Sequence, residues 1–525
     1  MAATNPYSAP QSTAGGGKGT FLIFLASFLT LIAAGMGFGA RAEVLGQWAK
    51  YGFTYTDLGK ISGMGLAGFG LVILGASLIT DRVGYKAIML AAFLCQVISA
   101  AIMLFADYSF NAYGKDGAYW CLWTGNLIFA IGNGLCEAAI NPLVATLYPN
   151  KKTHYLNILH AGWPAGLVLG ALAGKFLGHY GWQVPILSFM IPALIYGFIT
   201  LTQHFPQSEA TRAGVTYGEM FSQLLAPVLI FLMLIHAMVG YVELGTDSWI
   251  SSITNKLSLG QGTYLFIFAS SLMFVLRFFA GPIVEKINPL GLLFVSAVLG
   301  AVGLYTISVV EGVGMVWMAV TIYALGKTFL WPTMLGVVGE RFPKGGAVTM
   351  GMMGGIGMLS AGLLGVPGIG YKQDFFLTEN LVKQQKAEAT FNRYKTDEEI
   401  SFLFLPKFIG VDQGKLKVAL DPEGPATDLN NRLGILEKLG ILKDSKDMLA
   451  LQSWWESAKS FIATDKKPLD DAQTYGGRLA LRWTAVVPAT MAVCYLILIL
   501  YFRATGGYKQ EHLHTLTGKE APNEY

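Results

Sequence analysis

The chain has 525 residues, of which 53% are hydrophobic and only 13% charged, and its formal net charge is +4. Soluble domains carry roughly 25% charged residues, so this composition cannot cover a soluble surface. It excludes a soluble enzyme, a nucleic-acid binder and a disordered chain, and so small a net charge calls for no polyanionic partner. Cys95, Cys121, Cys136 and Cys494 all lie in apolar runs, without disulfide or metal-ligand spacing. What remains is an all-α polytopic membrane protein that needs no cofactor and no metal.

Residues 1–20 form a Gly/Ser/Ala-rich tail with one lysine. No small-residue cleavage site follows a short apolar core, so the first apolar stretch reads as a retained helix. Taking about 20 apolar residues per crossing, uncharged spans fall at 21–40, 61–80, 87–106, 155–174, 184–201, 289–310, 345–371 and 483–502. Four more contain ionisable groups: 118–148 holds Glu137, 224–251 holds Glu243 and Asp247, 259–284 holds Arg277, and 312–339 holds Lys327. Numbered in chain order these are helices 1 to 12, arranged as two pseudo-symmetric six-helix bundles. The division is 21–203 for the first bundle, 204–223 for a central cytoplasmic loop, and 224–371 for helices 7–11. An outer segment follows at 372–476, then helix 12 at 477–503 and a tail at 504–525.

Loop charge sets the orientation, because short cytoplasmic loops collect Lys and Arg. One set of loops holds Arg82, Lys86, Lys151, Lys152, Arg212, Lys286, Arg341 and Lys344; the other holds only Arg41, Lys50, Lys60, Lys115 and Lys256. Lys18, Arg503, Lys509 and Lys519 in the tails join the richer side, which places both termini in the cytoplasm and the protein in the plasma membrane, the inner membrane of a bacterium. Residues 372–476 differ from every other loop, with 15 of the 37 basic and 17 of the 33 acidic residues. Helical patterning at 381–399, 428–442 and 444–462 indicates an outer subdomain capping the bundle, or a partner-docking or substrate-capturing element.

The two halves echo each other, as in transporters built from repeats. Helix 2 runs from Ser77 into Asp81, Arg82, Gly84 and Tyr85; helix 8 runs from Gly281 into Glu285 and Lys286. Helix 4 carries Glu137 five residues before Pro142, and helix 10 carries Lys327 five residues before Pro332. Each of those helices ends in a short basic loop opened by Pro149 or Pro343.

The stretch Asp81-Arg82-Val83-Gly84 resembles the helix 2–3 loop signature of the major facilitator superfamily, departing from it at Ser77 and Tyr85. Gly134, Glu137, Asn141 and Pro142 on helix 4 resemble the corresponding motif of the fucose permease branch of sugar–proton symporters. Leu156, Asn157 and His160 on helix 5 are similar to that branch's helix 5, where Gln replaces His160. Arg277–Phe278 and Trp331-Pro332-Thr333 fit as well. The resemblance implies a monomeric carrier of a small solute and a proton, embedded in a lipid bilayer, with functional acids at Glu137 and, near the helix 1 position, Glu43. It implies a gate at Asp81, Arg82, Gly84, Glu285, Lys286 and Arg277.

An ionisable side chain inside a membrane helix marks function by default. Glu137 lies near mid-span, where desolvation penalises its ionised form and so favours proton exchange. It serves either as a proton site or as half of a fixed ion pair with Lys327, its repeat-mate. Lys327 in turn neutralises Glu137, binds an anionic solute, or tunes the carboxylate, and these roles compete. Glu243 and Asp247, four residues apart, share one face of helix 7 with Tyr241 nearby, and Arg41 is placed to pair with either acid. Asn133, Asn141 and Asn157 offer donors and acceptors for hydroxyl groups, His160 adds a polar position, and Trp163 and Trp331 offer flat faces for a sugar ring. Gly162, Gly166, Gly170 and Gly174 on helix 5, like the glycines of helices 2 and 11, permit close helix contact, either sliding between halves or a permanently tight bundle.

The reading is a secondary active transporter moving a small polar solute, a sugar by resemblance, by alternating access with proton coupling. An organic anion carrier using Lys327, Arg41 or Arg277, and a sensor or assembly protein on the same fold, stand as alternatives. No Walker loop points to ATP drive, and no catalytic cluster points to an enzyme.

Overall fold

The structure, a computed structural model, describes residues 17–53, 55–63, 65–383 and 387–513. Thr54, Lys519 and the outer parts of both tails lie outside the described residues, as do 384–386 within the expected 381–399 helix. In hydrocarbon every backbone polar group must be satisfied within the chain, and the apolar stretches accordingly fold as helices. Among the described residues eleven are long and apolar enough to cross a membrane, from Lys18–Tyr51 to Lys446–Ala504. The remaining apolar helix, Gly262–Arg277, is shorter, and the expected twelfth crossing rests on it. After Ala280 the chain is helical again and reverses at Asn288, whose φ of 56° lies in the left-handed region.

Helix contacts are closest where glycine removes a side chain. The helix 5 row faces helix 1 inside the first bundle: a Cβ at Gly166 or Gly170 would fall 2.4 Å from the Ile32 carbonyl oxygen or 2.3 Å from that of Met36. Of the two readings left open for these glycines, the structure gives helix 5 the tight bundle. Contact between halves runs along other faces, including helices 2 and 11, where a Cβ at Gly70 would meet Leu359 N at 3.0 Å and one at Gly351 would meet Ser77 Cβ at 2.1 Å.

Helices 7 and 11 each contain one π-helical turn, Tyr241–Gly245 and Ala361–Gly365, and the two turns pack on each other through Gly245 and Gly365. A π-turn shifts the phase of the residues beyond it and often occurs at functional sites. Here it lets two helices with bulky outer halves meet at glycine near the centre.

The outer segment is built on the membrane helices themselves. Helix 11 continues to Lys383 and the chain re-enters through Ile462–Thr484, beyond the expected ends at 371 and 477. A hairpin of Lys395–Ile400 and Phe408–Val411 replaces the end of the expected 381–399 helix, as the charged run Asp397–Glu399 takes extended form. Gln413–Ala419, Thr427–Lys438 and Lys446–Ala458 complete the cap around two small apolar cores. Its rim reaches the other bundle, where Arg432 Nη1 donates to the Phe53 carbonyl oxygen at 3.2 Å.

The glycine contacts carry a stability prediction. A Cβ at Gly240 would stand 1.9 Å from the Gly357 carbonyl oxygen, whereas one at Gly68 would meet nothing within 4 Å. Gly240→Ala is expected to destabilise the detergent-purified protein by about 1–3 kcal/mol through overpacking, lowering its melting temperature, while Gly68→Ala leaves it unchanged. Equal melting temperatures for the two variants would contradict the assigned helix 7–helix 11 contact.

Candidate functional site

Glu137 is 6% exposed and sits on the helix 4 wall of a narrow central cavity of about 20 Å³. His160, Trp163, Glu243, Arg277 and Trp331 also line it. Helix 4 places Asn141 one turn beyond Glu137, and its amide Nδ2 donates to Glu137 Oε2 at 2.7 Å. With the NH₂ group so directed, Asn141 Oδ1 faces His160 Nε2 at 2.9 Å and accepts from it. Among the described residues no basic side chain lies within ion-pairing distance of Glu137.

The neighbouring charges are compensated. Arg277, 1% exposed, donates through Nη2 to Glu243 Oε1 at 3.0 Å, through Nη1 to the His160 carbonyl at 2.6 Å, and through Nε to the Thr328 carbonyl at 2.7 Å. One guanidinium thereby ties helix 8 to helices 5, 7 and 10. Lys327 pairs with Asp247 and lies over the Tyr323 ring. The Glu137–Lys327 pair is therefore not formed: Lys327 turns toward helix 7, where a carboxylate is nearer.

Arg41 differs from expectation as well. It donates to Asn126 and lies against the Phe38 and Phe129 rings, and it pairs with neither helix 7 acid. Glu43, two residues on and so about 200° around the helix, is exposed and packs beside Gly174 outside the cavity. Tyr241 also leaves the expected set, since Lys372 Nζ on helix 11 donates to its hydroxyl at 3.1 Å. Asn133 accepts from Gln96 Nε2 at 2.9 Å, in a network completed by Tyr196 within the first bundle. Asn157 donates to Thr333 Oγ1 at 3.1 Å across the seam between helices 5 and 10.

On the side opposite the cap the two halves are sealed. Asp81 Oδ2 accepts from the N–H of Ala347 at 2.8 Å, at the start of the helix 11 segment Gly346–Ser360, where the helix dipole favours a carboxylate. Lys152 Nζ donates to the Gly339 carbonyl at 3.0 Å and pairs with Glu209 at 2.7 Å. Glu340 accepts from Thr153 Oγ1 at 2.5 Å and from Tyr508 at 2.7 Å. Sequence reading missed Lys152 and Glu340 as seal residues. Lys152 counted only as loop charge, and Glu340 lies just past the span expected for helix 10. Arg82 stacks on Tyr217, Gly84 takes a φ of 91° to start helix 3, and Glu285 and Lys286 are exposed. Arg277, expected at a gate, lies instead at the central cavity. Toward the cap the halves separate around a second cavity of about 400 Å³, which shares Trp163 and Leu244 with the first and includes Asp247 and Val366.

Two bundles, a central cavity between them, one sealed side and one open side form the frame of an alternating-access carrier. A sequence profile of the Major Facilitator Superfamily matches residues 18–366, more than half of the chain. The chain belongs to the major facilitator superfamily. It is a membrane transporter, not an enzyme. The tetracycline resistance protein, class E, of Escherichia coli is 22% identical over 293 residues, covering 53% of this chain and 68% of the relative. The E. coli fucose:proton symporter superposes with a TM-score of 0.54 at 16% identity, covering 67% of this chain and 91% of the symporter. A bacterial homologue of the human lysosomal transporter Spinster, in an inward-facing conformation, gives 0.57 at 16% identity over 92% of this chain and 97% of its own. At these identities the structural likeness carries the fold.

In this superfamily member the pairing pattern predicts a specific non-additivity. Asp247→Asn leaves Lys327 buried without its partner, a loss of roughly 3–5 kcal/mol for a buried pair, and adding Lys327→Met should restore much of the thermal stability. Combining Glu137→Gln with Lys327→Met should recover nothing over Lys327→Met alone. Recovery in that second combination would reassign the pair.

Proposed function

We propose that this protein is a proton-coupled secondary transporter of a small polar solute, a sugar in the favoured case, with Glu137 as its proton site. The observation that carries the reading is the contrast between Glu137 and the cations at and beside the central cavity. Arg277 and Lys327 each have a carboxylate partner, whereas Glu137 has the Asn141 amide. A buried carboxyl with a neutral partner is stable in its protonated form, and loses its proton when water reaches it from one side.

The cavity chemistry supports an uncharged solute. Trp163 and Trp331 supply flat apolar faces, and Glu137 and His160 supply polar groups beside them, the combination that sugar rings require. Arg277, the cation lining that cavity, is already engaged by Glu243, which disfavours an organic anion as cargo. Asp81 with Ala347, Lys152 with Gly339 and Thr153 with Glu340 act as the gate that must part for release on the sealed side. In the orientation proposed from loop charge that side is cytoplasmic, with both termini on it, in a monomer in the plasma membrane.

Two measurements test this reading in proteoliposomes. Glu137→Gln mimics the protonated carboxyl, so this variant should exchange solute across the membrane yet fail to accumulate it under an imposed pH gradient. Accumulation that persists in Glu137→Gln removes the proton role from this residue. Asp81→Asn weakens the contact with the helix 11 start and should increase labelling of cysteines placed on the sealed side; unchanged labelling would remove Asp81 from the gate.

A further inference from the structure

Beyond the central cavity, the structure contains a polar chamber at the base of the cap. It has a volume of about 300 Å³ between the outer end of helix 7, the extensions of helices 11 and 12, and the cap residue Gln413. Trp249 forms part of its wall; the indole Nε1 donates to the Val366 carbonyl at 2.8 Å, and Val366 lines the outward-open cavity on the solute path. The chamber therefore adjoins that path, one aromatic side chain away.

Its lining is unusual for the base of a folded cap. Gln373 Nε2 and Gln473 Oε1 are buried there without hydrogen-bond partners. Asp374 accepts from Gln413 Nε2 at 2.6 Å through Oδ1, leaving its second oxygen for another donor. Lys256, also in the lining, pairs with Asp470 at 2.6 Å, so its charge is already met. Buried polar atoms without partners cost free energy, and this chamber has room for a molecule that supplies them.

We infer that the chamber is a second solute site, an outer capture site for a small polyhydroxylated molecule of the class proposed as cargo. The unmet groups are an amide N–H donor and an amide carbonyl, with the Asp374 carboxylate beside them. A hydroxyl group both donates and accepts, so a vicinal diol satisfies a carboxylate and an amide together. The Trp249 ring and Leu377 offer apolar surface for the carbon skeleton, and the volume of about 300 Å³ stands at the lower end of the roughly 300–1,000 Å³ usual for small-molecule sites. A solute held here is concentrated beside the outward-open cavity before it enters.

This inference rests on the proposed substrate class, so the test separates the two sites. Saturation binding of radiolabelled L-fucose, D-xylose and D-glucose is measured on the full chain in nanodiscs, with Asp374→Asn/Gln473→Leu for the chamber and Asn141→Leu for the central cavity. Ser252→Trp plugs the chamber while keeping Gln373, Asp374 and Gln473, and covers the case in which the double variant fails to fold. The expected result is two molecules bound per protein, with the chamber variants weakening one site by about tenfold or more and raising the KM for uptake while kcat stays the same. One bound molecule, lost in Asn141→Leu and untouched by the chamber variants, overturns the capture site and leaves the proposed function intact. One molecule lost only in the chamber variants upholds the capture site and removes the central one. Binding of none of the three sugars overturns both, and stronger competition by a small organic cation than by any sugar overturns the polyol assignment.

Discussion

The cost of an unpaired charge in hydrocarbon governs how this molecule is assembled. Arg277 cannot shed its proton, so the structure surrounds it with Glu243 and two backbone carbonyls drawn from three other helices. Because one of those carbonyls belongs to His160, the guanidinium also fixes the first bundle against the second at the centre of the molecule. The same constraint sends Lys327 to Asp247. At the cavity Glu137 is the exception that the constraint allows, since a carboxylate, unlike Arg or Lys, becomes neutral by gaining a proton. Its position at the cavity wall follows from helix 4, and its hydrogen-bond partner lies one turn away on the same helix.

Close helix packing then decides where space remains. Helix 5 is clamped to helix 1 by glycine against carbonyl, so the first bundle is a tight unit. Helices 2 and 11 meet as closely across the two halves, where a Cβ at Gly351 or Gly355 would fall 2.1 Å from Ser77 or 2.4 Å from Leu74. The matched π-turns of helices 7 and 11 bring Gly245 and Gly365 together and set Glu243 and Asp247 in different surroundings despite their four-residue spacing. Glu243 closes on Arg277 in the central cavity, while Asp247 reaches Lys327 and the cap-side one. The cap, growing from helices 11 and 12 and touching Phe53 on the other bundle, stands over that opening.

Much of this was legible in the sequence, because hydrocarbon imposes a simple rule on span length and charge. The apolar stretches, the intramembrane charges and the Asp81 signature all read directly from residue type and spacing. The partners of those charges did not. A repeat argument placed Glu137 and Lys327 at matching depths, but depth does not specify azimuth, and the Lys327 side chain turns toward Asp247. For Glu43 the helical phase relative to Arg41 was available and would have excluded the cavity once Arg41 was known to point inward. The π-turns, with Tyr, Val, Glu and Leu in one and two leucines in the other, carry no signal in the sequence, and the Lys372 bond to Tyr241 beside them was equally hidden. The cap was readable as folded from its charge and aromatic content, yet the hairpin at 395–411 was hidden by a charged strand without apolar alternation.

The central claim is that Glu137 alone among the buried acids of the cavity changes protonation. Infrared difference spectroscopy of the protein in lipid, stepped in pH, reads the carbonyl stretch of protonated carboxyl groups directly. The account predicts a band that fades as pH rises, is missing in Glu137→Gln, and persists in Glu243→Gln. A titrating band that survives in Glu137→Gln and vanishes in Glu243→Gln would contradict it.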